Sequence, residues 1–99
     1  MTPVDIAHHV REAVLEITWE DGSVSRLSAA LLRGWCPCAT CQGHSPGLRF
    51  REPPAGVTIA ELHEVGAYAL GIKFSDGHDN GIYSWPHLRW IARYGQPQG

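Results

Sequence analysis

Ninety-nine residues, 43% hydrophobic and 18% charged, suffice for one folded domain and exclude both a disordered tail and a second core. Lys+Arg 8 against Asp+Glu 10 gives a net charge of −2 with no basic run, so nucleic acid is not an expected partner. No stretch approaches the ~20 apolar residues of a membrane span, and Met1-Thr2-Pro3-Val4-Asp5 lacks the charged and apolar regions of a secretory leader. A small cytoplasmic module is the expectation.

In chain order, residues 1–12 carry no pattern and read as an N-terminal arm; the domain is expected over 13–95, with 96–99 as a C-terminal tail. Val14 to Trp19 alternates as a strand, reaches Asp21-Gly22 and returns as Val24 to Leu27, since Asp-Gly between apolar runs signals a hairpin. Ser28 is positioned to N-cap a short helix, Ala29 to Arg33, closed by Gly34. Residues 42–56, rich in Gly and Pro, form a loop. Val57 to Val65 is extended, Gly66 breaks it, and Ala67 to Phe74 leads into a second Asp-Gly turn at Asp76-Gly77. Gly81 to Tyr83 returns. Ser84-Trp85-Pro86 then opens a helix with Leu88, Ile91 and Ala92 as its apolar stripe, ended by Gly95 and Pro97.

The pattern Leu-x-Ile-x-aromatic-x-Asp-Gly occurs twice, as Leu15 to Gly22 and as Leu70 to Gly77, each followed by a short strand, a Ser and a helix. That echo suggests two ββα units around one core, although two hairpins built for one sheet also look alike. The predicted class is α+β: an antiparallel sheet of about five strands with two short helices, tied by a metal site.

All three cysteines fall within Cys36-Pro37-Cys38-Ala39-Thr40-Cys41. Zinc takes four ligands tetrahedrally with Zn–S at ~2.3 Å, so thiolates must converge from a tight turn, as this knuckle allows. Other readings are three buried small apolar side chains, a thioredoxin-type pair of Cys38 and Cys41, and ligation of iron or an iron–sulfur cluster. A neutral imidazole is the natural fourth zinc ligand. His44, three residues past Cys41, and His78, on the second Asp-Gly turn, are the candidates; no motif brings His8, His9, His63 or His87 nearby.

Three blocks carry a family resemblance: Leu-Arg-x-x-Cys-Pro-Cys-Ala-x-Cys; Val65 to Leu70; and Ser75-Asp76-Gly77-His78-Asp79-x-Gly81-Ile82-Tyr83-x-Trp85-x-x-Leu88. The chain, from about Val14 to Tyr94, resembles the γ-butyrobetaine hydroxylase-like N-terminal domain, long known as a bacterial domain of unknown function. The resemblance implies a small strand-rich domain binding zinc through three Cys and one His, here Cys36, Cys38, Cys41 and His78. The hydroxylase reaction belongs to a separate, large iron- and 2-oxoglutarate-dependent domain for which 99 residues leave no room, so no enzymatic activity is expected. Some relatives are fused to P-loop carriers of iron–sulfur clusters, but no Gly-x-x-x-x-Gly-Lys loop is found here. Hairpin geometry points the same way on the fourth ligand: His78 follows a fixed turn and would join the two halves, whereas His44 would close a loop that ties down nothing else.

The leading expectation is a non-catalytic zinc module that mediates protein association, homodimerisation included. The alternative is an accessory factor in iron–sulfur or iron metabolism using the same cysteines. A third reading is a zinc hydrolase with an open three-thiolate site and His78 as base. Trp19, Trp35, Trp85 and Trp90 read as core, not as a ligand cage. Asp76 reads as a turn residue, with orientation of the His78 ring by Asp76 or Asp79 as the alternative. Arg33, Arg49, Arg51 and Arg89 read as scattered solvated surface, and Glu61, His63 and Glu64 as strand alternation.

Overall fold

Leu15, Ile17 and Trp19 are buried while Val14, Glu16 and Thr18 between them are half-buried, the two-residue period of a strand with one covered face. The computed structural model, which describes residues 2–37, 50–78 and 81–96, places these residues in the central strand of a three-stranded meander. Strand β1 (Pro3–His9) and strand β3 (Val24–Ser28) flank β2 (Val14–Trp19), both antiparallel to it. Helix α1 (Ala29–Gly34) follows directly. A second meander repeats the scheme: β4 (Ile59–Val65), β5 (Ala69–Phe74) and β6 (Gly81–Ser84), then helix α2 (Trp85–Tyr94). Leu70, Ile72 and Phe74 of β5 are buried as Leu15, Ile17 and Trp19 are in β2.

The expected sheet of about five strands is therefore two three-stranded sheets, and each expected ββα unit gains a leading strand. The segment 1–12, expected to be an arm, contains β1. Its exposure does not alternate, because Pro3 and Ile6 to His9 are half-buried while Val4 and Asp5 are exposed. Its order comes from pairing with β2, Ile6 opposite Ile17 and His8 opposite Leu15.

Both helices begin as the serines foretell: Ser28 Oγ accepts the Leu31 N–H at 3.1 Å, and Ser84 Oγ accepts the His87 N–H at 3.2 Å. Pro86 sits in the first turn of α2, where a missing N–H costs nothing. Gly34 is the last residue of α1, with Trp35 as its cap. A Cβ there would collide with the Phe50 ring, so what glycine allows is this close approach and not a left-handed turn.

One apolar core joins the two units. Leu15, Ile17, Trp19, Leu27 and Leu32 from the first meet Ile72, Phe74, Tyr83, Leu88 and Ile91 from the second. Helix α2 packs on β3 as well as on its own β6, so it seals the two sheets together. Trp19 and Trp85 are buried, and Trp35 and Trp90 pack against the core from its edge. The indole N–H groups of Trp19, Trp35 and Trp85 all donate within the chain, to Ser25 Oγ, the Gly95 carbonyl and the Ala67 carbonyl. These tryptophans are core residues, as expected.

Candidate metal centre

Helix α1 ends beside the turn between β5 and β6, and there Cys36 meets His78. Cys36 lies two residues past α1 and is fully buried; its N–H donates to the Arg33 carbonyl at 3.3 Å. Its neighbour Trp35 is held at two points, by His87 of α2 and by Gly95, which caps that helix. The indole N–H donates to the Gly95 carbonyl at 3.0 Å, and the Trp35 carbonyl lies 2.9 Å from His87 Nε2.

His78 is delivered by the second hairpin. Gly77 adopts φ +88, a left-handed value that a side chain rarely tolerates, and closes a turn in which the Phe74 N–H donates to the His78 carbonyl at 2.8 Å. Asp76 Oδ1 accepts the His78 N–H at 3.1 Å, while Oδ2 accepts the Arg33 Nε–H at 3.0 Å. His78 Nε2 comes to lie 3.1 Å from Cys36 Sγ, across 42 residues of sequence. Two ligands on one zinc, at ~2.3 Å for sulfur and ~2.05 Å for nitrogen with a tetrahedral angle, sit about 3.6 Å apart. The observed pair needs to open by only about half an ångström to admit an ion.

Burial raises the Asp76 pKa, but the His78 N–H and the Arg33 guanidinium outweigh it and hold the carboxyl below its ordinary 3.8. Asp76 is thus a turn residue, as expected: its carboxylate grips the backbone of His78, not the ring. Arg33 departs from its expectation of a solvated surface position. Its side chain is only 17% exposed and joins α1 to the hairpin that carries His78. Arg89 likewise lies over the Trp19 ring at 4.9 Å.

Of the four expected ligands, Cys36 and His78 come together; Cys38 and Cys41 lie outside the described residues, as do His44, Asp79 and Arg49. Among the described residues no three Cys, His, Asp or Glu side chains form a metal cluster. His8 and His9 lie on β1, and His63 lies over Gly71 on the second sheet. The sequence reading missed Arg33 and His87. His87 stacks between Tyr83 and Trp90, at 5.7 and 6.3 Å between ring centres, and burial holds its imidazole below the ordinary 6.5 despite the opposing Trp35 carbonyl. Neither residue has a local signature, because each acts on a partner more than 40 residues away.

These features define a small α+β domain of two similar units that meet at a thiol–imidazole pair. Residues 6–89 match the family described as gamma-butyrobetaine hydroxylase-like, N-terminal, and the chain belongs to that family. Among solved structures it is similar to a protein of unknown function of the DUF971 family from Acidithiobacillus ferrooxidans, at 35% identity, 92% coverage of each chain and a TM-score of 0.77. Two solution NMR structures are also similar. One is 33% identical with a TM-score of 0.78, covering 93% of this chain and 69% of the other. The second is 30% identical with a TM-score of 0.75, covering 95% and 74%. No curated protein matches the sequence. The matched family is an N-terminal domain by description, and no catalytic domain is evident in these residues. No helix of the described residues is long and apolar enough to cross a membrane.

Proposed function

We propose that this domain is a non-catalytic zinc module, with Cys36, Cys38, Cys41 and His78 as ligands, that holds a surface for protein association. The observation that carries the reading is the 3.1 Å approach of Cys36 Sγ to His78 Nε2 between the two units. Four protein ligands close a tetrahedral site and leave no position for a reacting water, which argues against the hydrolase reading. The spacing also favours a single ion over a cluster. Clusters with one protein ligand per iron hold those ligands farther apart than two atoms sharing one metal.

Structural zinc contributes about 10–16 kcal/mol of apparent binding free energy at pH 7, against about 5–15 kcal/mol of net stability for a typical domain. Metal removal is therefore expected to loosen or unfold the chain. The test is metal analysis of protein purified without oxygen, followed by melting with and without a chelator. One zinc per chain, and a melting temperature lowered by about 10 °C or more on chelation and equally by Cys36→Ser, is the expected result. Metal-free protein whose melt ignores the chelator overturns the reading; brown protein containing iron replaces zinc by the iron alternative.

A further inference from the structure

Asp76 holds the backbone of His78 and Arg33 holds Asp76, and together they fix where the imidazole can be. Asp76 uses its two oxygens in different directions: Oδ1 holds the His78 N–H at 3.1 Å and Oδ2 holds Arg33 Nε at 3.0 Å. Arg33 lies on the last turn of α1, and its own carbonyl accepts the Cys36 N–H. The backbones that carry the two candidate ligands are thus joined through one guanidinium–carboxylate contact. Its side chains are 17% and 22% exposed.

The first unit provides an internal control. Asp21-Gly22 forms the same turn, with Gly22 at φ +89 and the Ser23 N–H on Asp21 Oδ1 at 2.9 Å. Asp21 also takes the Ser23 hydroxyl at 2.6 Å; among the described residues no hydrogen bond or ion pair ties it to a helix, and the charge of Arg89 on α2 acts on it only from a distance. A turn of this type therefore does not need an arginine in order to form, and the Arg33 contact has another consequence.

We infer that Arg33 and Asp76 are positioning residues, a clamp that sets the Cys36–His78 distance so that half of the metal site is assembled before the ion arrives. The inference rests on the zinc reading for its purpose, though not for its geometry. A preformed pair spares the ion the cost of ordering a hairpin against a helix, so the clamp raises affinity without donating a ligand.

Asp76→Asn isolates the effect. Asparagine keeps the turn chemistry and the acceptor for the His78 N–H but presents no charge to Arg33. Asp21→Asn is the matched change in the other hairpin. Cobalt(II) serves as the probe, its affinity measured by competition and its sulfur-to-cobalt charge-transfer band read directly. The imidazole nitrogen shifts of His78 are measured by NMR in the metal-free and cobalt-free protein.

Asp76→Asn is expected to weaken cobalt binding by roughly tenfold or more and to move the His78 nitrogen shifts. Asp21→Asn should do neither, and Arg33→Gln should match Asp76→Asn without adding to it in the double variant. Unchanged His78 shifts in Asp76→Asn overturn the clamp, whatever the metal does. Shifts that move while affinity holds overturn its role in metal capture. A wild-type protein without the charge-transfer band overturns the zinc reading instead, and the shifts still decide the clamp. Should Asp76→Asn melt early, Arg33→Lys, which keeps the charge, must recover His78 shifts closer to wild type than Arg33→Gln does.

Discussion

The two units are built alike and used differently. In each, a central strand buries Leu, Ile and an aromatic, an Asp-Gly turn reverses the chain, and a serine caps the helix that follows. The turns agree even in their backbone bonds: the Trp19 N–H reaches the Ser23 carbonyl at 2.8 Å, and the Phe74 N–H reaches the His78 carbonyl at 2.8 Å. They part at the residue after glycine. Ser23 turns back on its own aspartate, whereas His78 points across the molecule at Cys36. Both aspartates are held below their ordinary 3.8, for different reasons. Asp21 is lowered first by the Ser23 hydroxyl. For Asp76, burial acts upward and is overcome by the His78 N–H and Arg33. A standard turn is aimed at the other unit through one changed side chain and one contact from that unit.

The largest effects expected from this comparison concern the shared core. Phe74→Ala and Trp19→Ala remove matched, fully buried aromatics and should each cost about 3–5 kcal/mol in denaturant titrations. If one of them is nearly neutral, the two sheets do not contribute equally to one core.

A smaller effect separates the two helices. Leu31 and His87 occupy the same position, third from their capping serines, but only His87 titrates. Its pKa is lowered by burial, so the folded state prefers the neutral ring. The resulting stability is complete above pH 6.5 and is lost as pH falls through the lower folded value. His87→Leu, which makes the second helix like the first, should flatten the fall in melting temperature between about pH 7 and pH 5. It should also cost about 1 kcal/mol near neutrality, because the Trp35 carbonyl loses its partner. A variant with the wild-type pH profile assigns the dependence to another group.

Much of this architecture is legible in the sequence, because strand period, Asp-Gly turns and serine caps are local signals. Strand β1 is not, since Asp5, His8 and His9 break any alternation and only β2 supplies their order. The division into two sheets is also hidden: it depends on β3 and β4 failing to pair, and no single residue announces that. Of the site, the pairing of Cys36 with His78 follows from motif and hairpin. The support from Arg33 and from His87 does not, because arginine and histidine on short helices look like surface until the partner strand is in place.

The meander topology also favours an order of events. Within each sheet every strand pairs with its neighbour in sequence, so both sheets assemble through short loops at small entropic cost. The Cys36–His78 contact spans 42 residues and belongs to the packing of one unit on the other. If docking follows the rate-limiting barrier, strengthening this contact is expected to slow escape from the native state without hastening arrival. Kinetic traces with and without bound metal should therefore differ in their unfolding limb and superimpose in their refolding limb; the opposite pattern would put docking before the sheets. The metal ion would then act as a latch on a structure already closed.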